Sequence, residues 1–259
     1  MSVVSFVSAK GSPGVSTLIM GLAERWPEEV VVADLDPIGG DVATRQRDHL
    51  GHALNEQRGL VSLGAAVRTG DEVTLDDHLQ RTQTGVDVLV GATGPRQAQG
   101  LGPAWPHLLR TFRAHAGDVL VDGGRFMPGS PVAPVVEESD AVVFAVRSEI
   151  AAVAHLRDRL VGFRESWSIG RPGARPVGVV VVGDPRDGRS VDDIGQLLAS
   201  AGAPVTMLGC VAYDAKTVRR LSSLSSRAVA RSVFGRSLVD LVPRVQAIAG
   251  APVGAREAS

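Results

Sequence analysis

The chain of 259 residues is predicted to be a single-domain α/β protein, with a mainly parallel twisted sheet of about seven or eight strands and helices on both faces. Three observations predict this class. Short β-branched runs recur along the chain, segments of helical spacing separate them, and 44% of the residues are hydrophobic, enough for one sizeable core. Unbroken apolar runs suit strands buried on both faces, as parallel strands between two helical layers are.

The elements follow in order. Val3-Val4-Ser5-Phe6-Val7 is the first strand, and a glycine-containing turn leads from it to a helix over Leu18 to Trp26. Val30-Val31-Val32-Ala33 is the second strand. The stretch from Gly39 to Gly85 is the least regular. Within it Gly59 to Arg68 has helical spacing and Arg45 to Arg58 is polar and poorly patterned, and the stretch from Gly39 to Gly85 is expected to form a surface excursion. Strands are then expected at Val86 to Val90, Val119 to Val121, Ala141 to Val146 and Val177 to Val182, with helices over Leu108 to Ala116, Ile150 to Phe163 and Val191 to Ala199. A last helix is expected from about Val233 to Ile248, with Pro243 either kinking it or marking its first turn. Residues 1–250 thus form the domain, and Ala251 to Ser259 reads as a flexible tail.

Composition narrows the functional classes. The formal net charge is −1, which argues against a protein that coats nucleic acid with its whole surface. Cys210, the single cysteine, cannot form an internal disulfide and has no Cys/His partners at metal spacing, so it reads as a small buried residue. His49, His52, His78, His107, His115 and His155 are scattered and read as surface histidines. No basic and apolar leader is visible, and no apolar run approaches the roughly 18 to 20 residues that span a bilayer, so a cytoplasmic protein is expected. The terminal helix has few flanking cations, which favours packing on the sheet over membrane attachment. Basic side chains are almost all arginine. The two lysines are Lys10 and Lys216.

Lys10 lies in the turn after the first strand, which reads Ala9-Lys10-Gly11-Ser12-Pro13-Gly14-Val15-Ser16-Thr17. A phosphate-binding loop curls backbone N–H groups around phosphate oxygens at a helix N-terminus, while a lysine supplies point charge and a hydroxyl holds magnesium. Against the pattern G-x-x-x-x-G-K-S/T, Gly14 and Ser16 fit, Ala9 replaces the first glycine and Val15 replaces the lysine. A plain strand-to-helix turn is the competing reading of these residues.

The loop resembles the deviant Walker A motif of the MinD/ParA ATPases, K-G-G-x-G-K-S/T, with Lys10 at the family's signature lysine. Val31 to Pro37 is similar to the family's second-strand D-x-D-P segment, and Asp118 to Gly124 is similar to its Walker B strand. Ser139 to Phe144, Val177 to Asp184, and Ala203 through Asp214 continue the resemblance nearly to the end of the chain. It implies a P-loop NTPase-like fold and ATP or ADP with Mg2+ as ligands. Nucleotide contacts are then expected from Lys10, Gly11, Ser12, Pro13, Gly14, Val15, Ser16, Thr17, Asp184 and Tyr213, metal contacts from Ser16, Asp36 and Asp122, and catalytic roles from Lys10 and Asp36. Gly183 and Asp184 stand where the family carries a base-recognising Asn and Arg, which puts adenine specificity in question. Asp34 and Asp36 have the alternative reading of caps on the turn after the second strand. Within the family, the loop, the tract Gly39-Gly40-Asp41 and the tract Gly59 to Leu63 most resemble actinobacterial TadZ/CpaE-like chains, associated with pilus and secretion machinery. Relatives of that kind often carry an N-terminal receiver-like module, which this chain is expected to lack.

The departures have physical consequences. A missing charge-assisted contact to the phosphates weakens binding about 10- to 100-fold. Pro13 removes a further N–H donor. The expectation is a nucleotide-dependent positioning or regulatory protein, in septum placement, chromosome or plasmid partitioning or pilus assembly, with a sandwich homodimer, protein partners and weak or absent hydrolysis. Two alternatives stand beside it: an active ATPase rescued by Lys10, within its own loop or across a dimer, and a pseudo-ATPase scaffold that binds no nucleotide. From Ala215 to Val239 there is no acidic residue, so Lys216, Arg219, Arg220, Arg227, Arg231 and Arg236 make a basic strip suited to DNA phosphates or to a solvated helical face.

Overall fold

Valine-rich runs pair into one sheet because each strand buries β-branched side chains on both faces. The computed structural model describes residues 1–11, 13–69, 73–219, 221 and 226–250. The expected flexible tail at residues 251–259 lies outside them. The strands are β1 (Val3–Ser8), β2 (Val30–Asp34), β3 (Gln80–Arg81), β4 (Asp87–Leu89), β5 (Asp118–Arg125), β6 (Ala141–Arg147), β7 (Val177–Gly183) and β8 (Thr206–Ala212). They form an eight-stranded sheet in the order β3-β4-β2-β5-β1-β6-β7-β8. All neighbours pair in parallel except β3 and β4.

Helices cover both faces. The principal ones are α1 (Val15–Ala23), α2 (Val42–Arg45), α3 (Leu60–Thr69), α4 (Pro95–Gly100), α5 (Trp105–Ala114), α6 (Ala133–Glu138), α7 (Ile150–Phe163), α8 (Ser190–Ser200), α9 (Ala215–Val218), α10 (Ser226–Arg231), α11 (Val233–Ser237) and α12 (Leu241–Ala249). Alternate strand residues feed two cores. Val4, Phe6, Val32, Leu120 and Val143 pack with Leu18, Ile19 and Leu22 of α1 and with Phe234, Leu241 and Val245 near the end of the chain. Val7, Val31, Val121, Phe144 and Val179 pack with Leu63, Leu108, Leu160 and Leu198 on the opposite face. That second core holds an aromatic cluster in which Phe163 stacks on Trp167 with ring centroids 4.4 Å apart.

Several boundaries differ from expectation. The first helix begins at Val15 and ends at Ala23, so Trp26 lies in the following turn, where its indole donates to Asp118 Oδ2 at 2.8 Å. Asp118 also accepts from the Ser2 N–H at 2.6 Å, which ties the start of β1 to β5. Trp26→Phe removes one charge-assisted hydrogen bond and is expected to cost about 1–2 kcal/mol in a urea titration; an unchanged midpoint would show that the bond contributes nothing. The strand expected at Val119 to Val121 runs on to Arg125, so Asp122 sits inside β5 and not at its end. The expected last helix is broken between Ser237 and Leu241, and Pro243 falls in the first turn of α12, where its missing N–H is harmless. The excursion contains the short antiparallel edge strand β3, which the polar pattern did not reveal. His115 is buried, with Nδ1 3.2 Å from Asp76 Oδ1, and is not a surface histidine. Cys210 is only half-buried, on the edge strand.

Candidate functional site

In open parallel sheets ligands sit beyond the carboxyl ends of the strands, where the strand order reverses. Here β1 lies at the centre, between β5 and β6. From Ser8 the chain turns through Gly11 (φ 74°) and Gly14 (φ 94°), both in the left-handed region that side chains resist, and enters α1 at Val15. Gly14 is the N-cap and provides no side-chain hydrogen bond, so the first N–H groups of α1 are left for a ligand. Ser12 lies outside the described residues. Pro13, Val15, Ser16 and Thr17 border a cleft of about 490 Å³, which Asp36, Asp41 and Arg45 close from the β2 side and Asp122, Gly124 and Arg125 from the β5 side.

The floor of this cleft is acidic. Asp34 and Asp122 lie opposite one another across β2 and β5, and both are buried. Asp122 Oδ1 accepts the Gly124 N–H at 2.9 Å, while its Oδ2 is buried without a hydrogen-bond partner. Burial pushes this carboxyl up to about 6, against the opposing effects of the Ser16 hydroxyl and the Gly124 N–H. Burial, with the charge of Asp122 added, holds Asp34 well above the usual carboxylate range. Asp34 Oδ2 accepts the Val42 N–H at 3.1 Å, so Asp34 does cap the chain after β2. Asp36 accepts the Ile38 N–H at 2.8 Å and is raised by burial, with the charge of Asp41 adding to it. Asp36 therefore both caps its turn and borders the cleft.

Glycines make room for these carboxylates. A Cβ on Gly40 would lie 2.3 Å from Asp34 Oδ2, and one on Gly124 would lie 2.2 Å from Asp36 Cγ. An orphaned carboxylate oxygen beside a serine hydroxyl is a donor set suited to a hard, oxygen-seeking cation such as Mg2+. Among the described residues no group of three or more His, Cys, Asp or Glu is arranged to hold a metal unaided.

Two loop residues sit differently from a standard phosphate loop. Val15 is 6% exposed and packs into the core beneath the loop, so the expected lysine position is apolar. Lys10 is exposed and its Nζ lies 2.7 Å from His155 Nε2 on α7. It does not border the cleft, so the reading in which Lys10 serves its own loop finds no support in this geometry.

A second pocket of about 330 Å³ adjoins the loop at Pro13, Gly14 and Thr17 and extends to Arg147, Ala212, Tyr213 and Asp214. The Arg147 guanidinium lies 4.3 Å from the Tyr213 ring centroid, and the Tyr213 N–H donates to the Gly183 carbonyl at 2.8 Å. Asp184 borders a neighbouring depression instead, and its carboxylate accepts the Arg186 N–H at 2.9 Å. Of the expected base contacts, Tyr213 adjoins the loop and Asp184 does not.

Arg45 and Arg147 were not among the expected site residues. Arg45 was hidden in a polar stretch without pattern, although it stands four residues after Asp41, the spacing of a helical ion pair. In the basic strip, Lys216, Arg219, Arg227, Arg231 and Arg236 are exposed, while Arg220 lies outside the described residues. None of those five has a carboxylate within ion-pair distance among the described residues. No described helix is long and apolar enough to cross a membrane.

A glycine turn leading from a central parallel strand into a helix, with carboxylates at the adjacent strands, defines a P-loop-type α/β architecture. More narrowly, the chain has the fold of the MinD/ParA ATPases. A ParA family ATPase from Chlorobium tepidum TLS superposes with a TM-score of 0.74 at 19% identity, over 93% of this chain and 97% of that one. The septum site-determining protein MinD from Pyrococcus horikoshii OT3, complexed with Mg-ADP, gives 0.70 at 17% identity over 98% and 99%. A protein of Borrelia burgdorferi B31 assigned to plasmid partition and bound to AMPPNP gives 0.65 at 13% identity over 95% and 98%. No protein-family model matches the sequence, and no curated protein matches it.

Proposed function

We propose that this protein binds an adenine nucleotide with Mg2+ at the loop between β1 and α1 and acts as a positioning or regulatory switch with weak or absent hydrolysis. The observation that carries the reading is Asp122, which borders the loop cleft together with Ser16 and whose Oδ2 is buried without a hydrogen-bond partner. Burying a carboxylate oxygen with no partner is costly, and a cation held there with nucleotide phosphates offsets that cost. Ser16 and Asp122, with Asp36 nearby, would hold the metal, which when bound neutralises phosphate charge. The N–H groups of Gly14, Val15, Ser16 and Thr17 orient the phosphates, and the Arg147–Tyr213 pair offers a surface for the base.

Weak hydrolysis follows from Val15, which supplies no charge to a transferring phosphoryl group. Titration calorimetry with ATP is expected to give saturable binding that weakens when EDTA replaces Mg2+, with little phosphate release. Absence of binding at millimolar ATP would favour the scaffold that uses no nucleotide. An active enzyme with Lys10 reaching a partner's phosphates would instead show phosphate release that Lys10→Ala abolishes.

Homodimerisation through the cleft face is supported by Ile38, Met127 and Ile150, which are exposed hydrophobic residues, the first two at the rim of the cleft. DNA contact through Lys216, Arg219, Arg220, Arg227, Arg231 and Arg236 is tested by salt: affinity should fall steeply between low and physiological ionic strength. Binding indifferent to salt would eliminate it. Protein partners, a cytoplasmic location and a role in septum placement, chromosome or plasmid partitioning or pilus and secretion assembly complete the reading; genomic neighbours and localisation of a tagged chain test them.

A further inference from the structure

A phosphate loop without its lysine needs positive charge from elsewhere if it is to hold a nucleotide at useful affinity. Two cations border the loop cleft, Arg45 and Arg125. Arg125 comes from the β5 side and makes no hydrogen bond to the loop among the described residues. Arg45 reaches the loop directly: its Nη1 lies 3.4 Å from the Thr17 hydroxyl, in the first turn of α1. It also borders the adjoining pocket toward Tyr213, so it stands at the junction of the phosphate and base regions.

We propose that Arg45 supplies to the phosphates of a bound nucleotide the positive charge that Val15 cannot. The proposal rests on the reading of the cleft as a nucleotide site. Arg45 is held in place from below. It lies at the end of α2, whose first residue, Val42, is buried and donates its N–H to Asp34 at the end of β2. Its other nitrogen, Nη2, pairs with Asp41 Oδ2 at 2.6 Å, and both side chains are about half exposed, 54% and 51%. A half-exposed pair of this kind contributes little to stability, so exchanging Asp41 for a phosphate costs little. A guanidinium offers several N–H donors in a planar fork matched to phosphate oxygens, and it stays charged at any working pH. Asp41 thus acts as a stand-in anion that keeps Arg45 over the loop until phosphate displaces it.

The test is a fluorescence titration of the full chain with an N-methylanthraniloyl derivative of ATP and the corresponding AMP, in Mg2+, for wild type, Arg45→Ala, Arg45→Gln and Asp41→Asn. Arg45→Gln keeps a polar side chain at the Thr17 contact and guards against a misfolded Arg45→Ala. Both Arg45 variants are expected to weaken ATP binding about 10-fold and AMP binding much less, while Asp41→Asn tightens ATP binding. Wild-type affinity for ATP in Arg45→Gln would overturn the role of Arg45 and leave the nucleotide site standing. Equal losses for ATP and AMP would also overturn it, since a residue needed only for folding does not count phosphates. A wild-type chain that binds neither nucleotide would overturn the reading of the cleft and this role with it.

Discussion

In metal-free buffer, Asp122→Asn is expected to stabilise the protein at pH 8 by on the order of 2–3 kcal/mol and to change little at pH 4. Burial pushes the Asp122 carboxyl from its ordinary 3.8 up to about 6, so the folded chain keeps its proton after the unfolded chain has released it. The stability associated with that proton is fully present below about pH 4 and is lost as pH rises to about 6. Above that window the wild type carries a buried charge facing Asp34, whose own carboxyl is raised by burial and then by Asp122. Asparagine has nearly the same shape, can still accept the Gly124 N–H, and carries no charge. The same substitution removes the oxygen suited to the cation, so the Mg2+-dependent part of nucleotide binding should disappear. Urea titrations in EDTA at pH 4, 6 and 8, paired with calorimetry in Mg2+, read both effects. A variant that is less stable than wild type at pH 8 would show that the buried carboxylate is already compensated. The expected opposition of stability and binding is what a site holding strain for its ligand produces.

Val15→Lys is expected to tighten ATP binding about 10- to 100-fold, the value of a charge-assisted contact to phosphate. Val15 borders the cleft and the core together, so a lysine stem can cover the same apolar surface while its ammonium emerges among the phosphate positions. The N–H groups of the loop and the acidic floor are already in place, and the substitution adds only the missing charge. Calorimetry in Mg2+ checks the result. An unchanged affinity would mean that the missing N–H of Pro13, or Arg45 already in the same space, prevents the ammonium from reaching phosphate. Combining Val15→Lys with Arg45→Gln separates those two causes, since the lysine should gain more when the arginine is gone.

Legibility followed the physics of each signal. The six central and inner strands were readable because a parallel strand covered on both faces must be apolar at nearly every residue, as Val177 to Val182 is. The two edge strands gave less signal of their own. β3 is two polar residues long, and β8 was reached through its resemblance to a known family because one side of an edge strand needs no strict pattern. The loop was readable from Gly11 and Gly14, since left-handed backbone excludes other side chains at little cost only to glycine. Arg45 was not, because a half-exposed side chain on a four-residue helix leaves no periodicity, and its neighbour Thr17 is 28 positions away in sequence.

Local sequence therefore sufficed for the six inner strands and the longer helices, for the glycine turn and for the replacement of a lysine by Val15. These depend on backbone preference and on apolar periodicity, which act over a few residues. The pairing of β2 with β5 set Asp34 against Asp122 and left one carboxylate oxygen without a partner, the pairing of β1 with β6 set Lys10 beside His155, and the strand order brought Arg45 over the loop. Those outcomes depend on strand order and burial, which bring together groups far apart in the chain and remove them from water, and no local pattern records either.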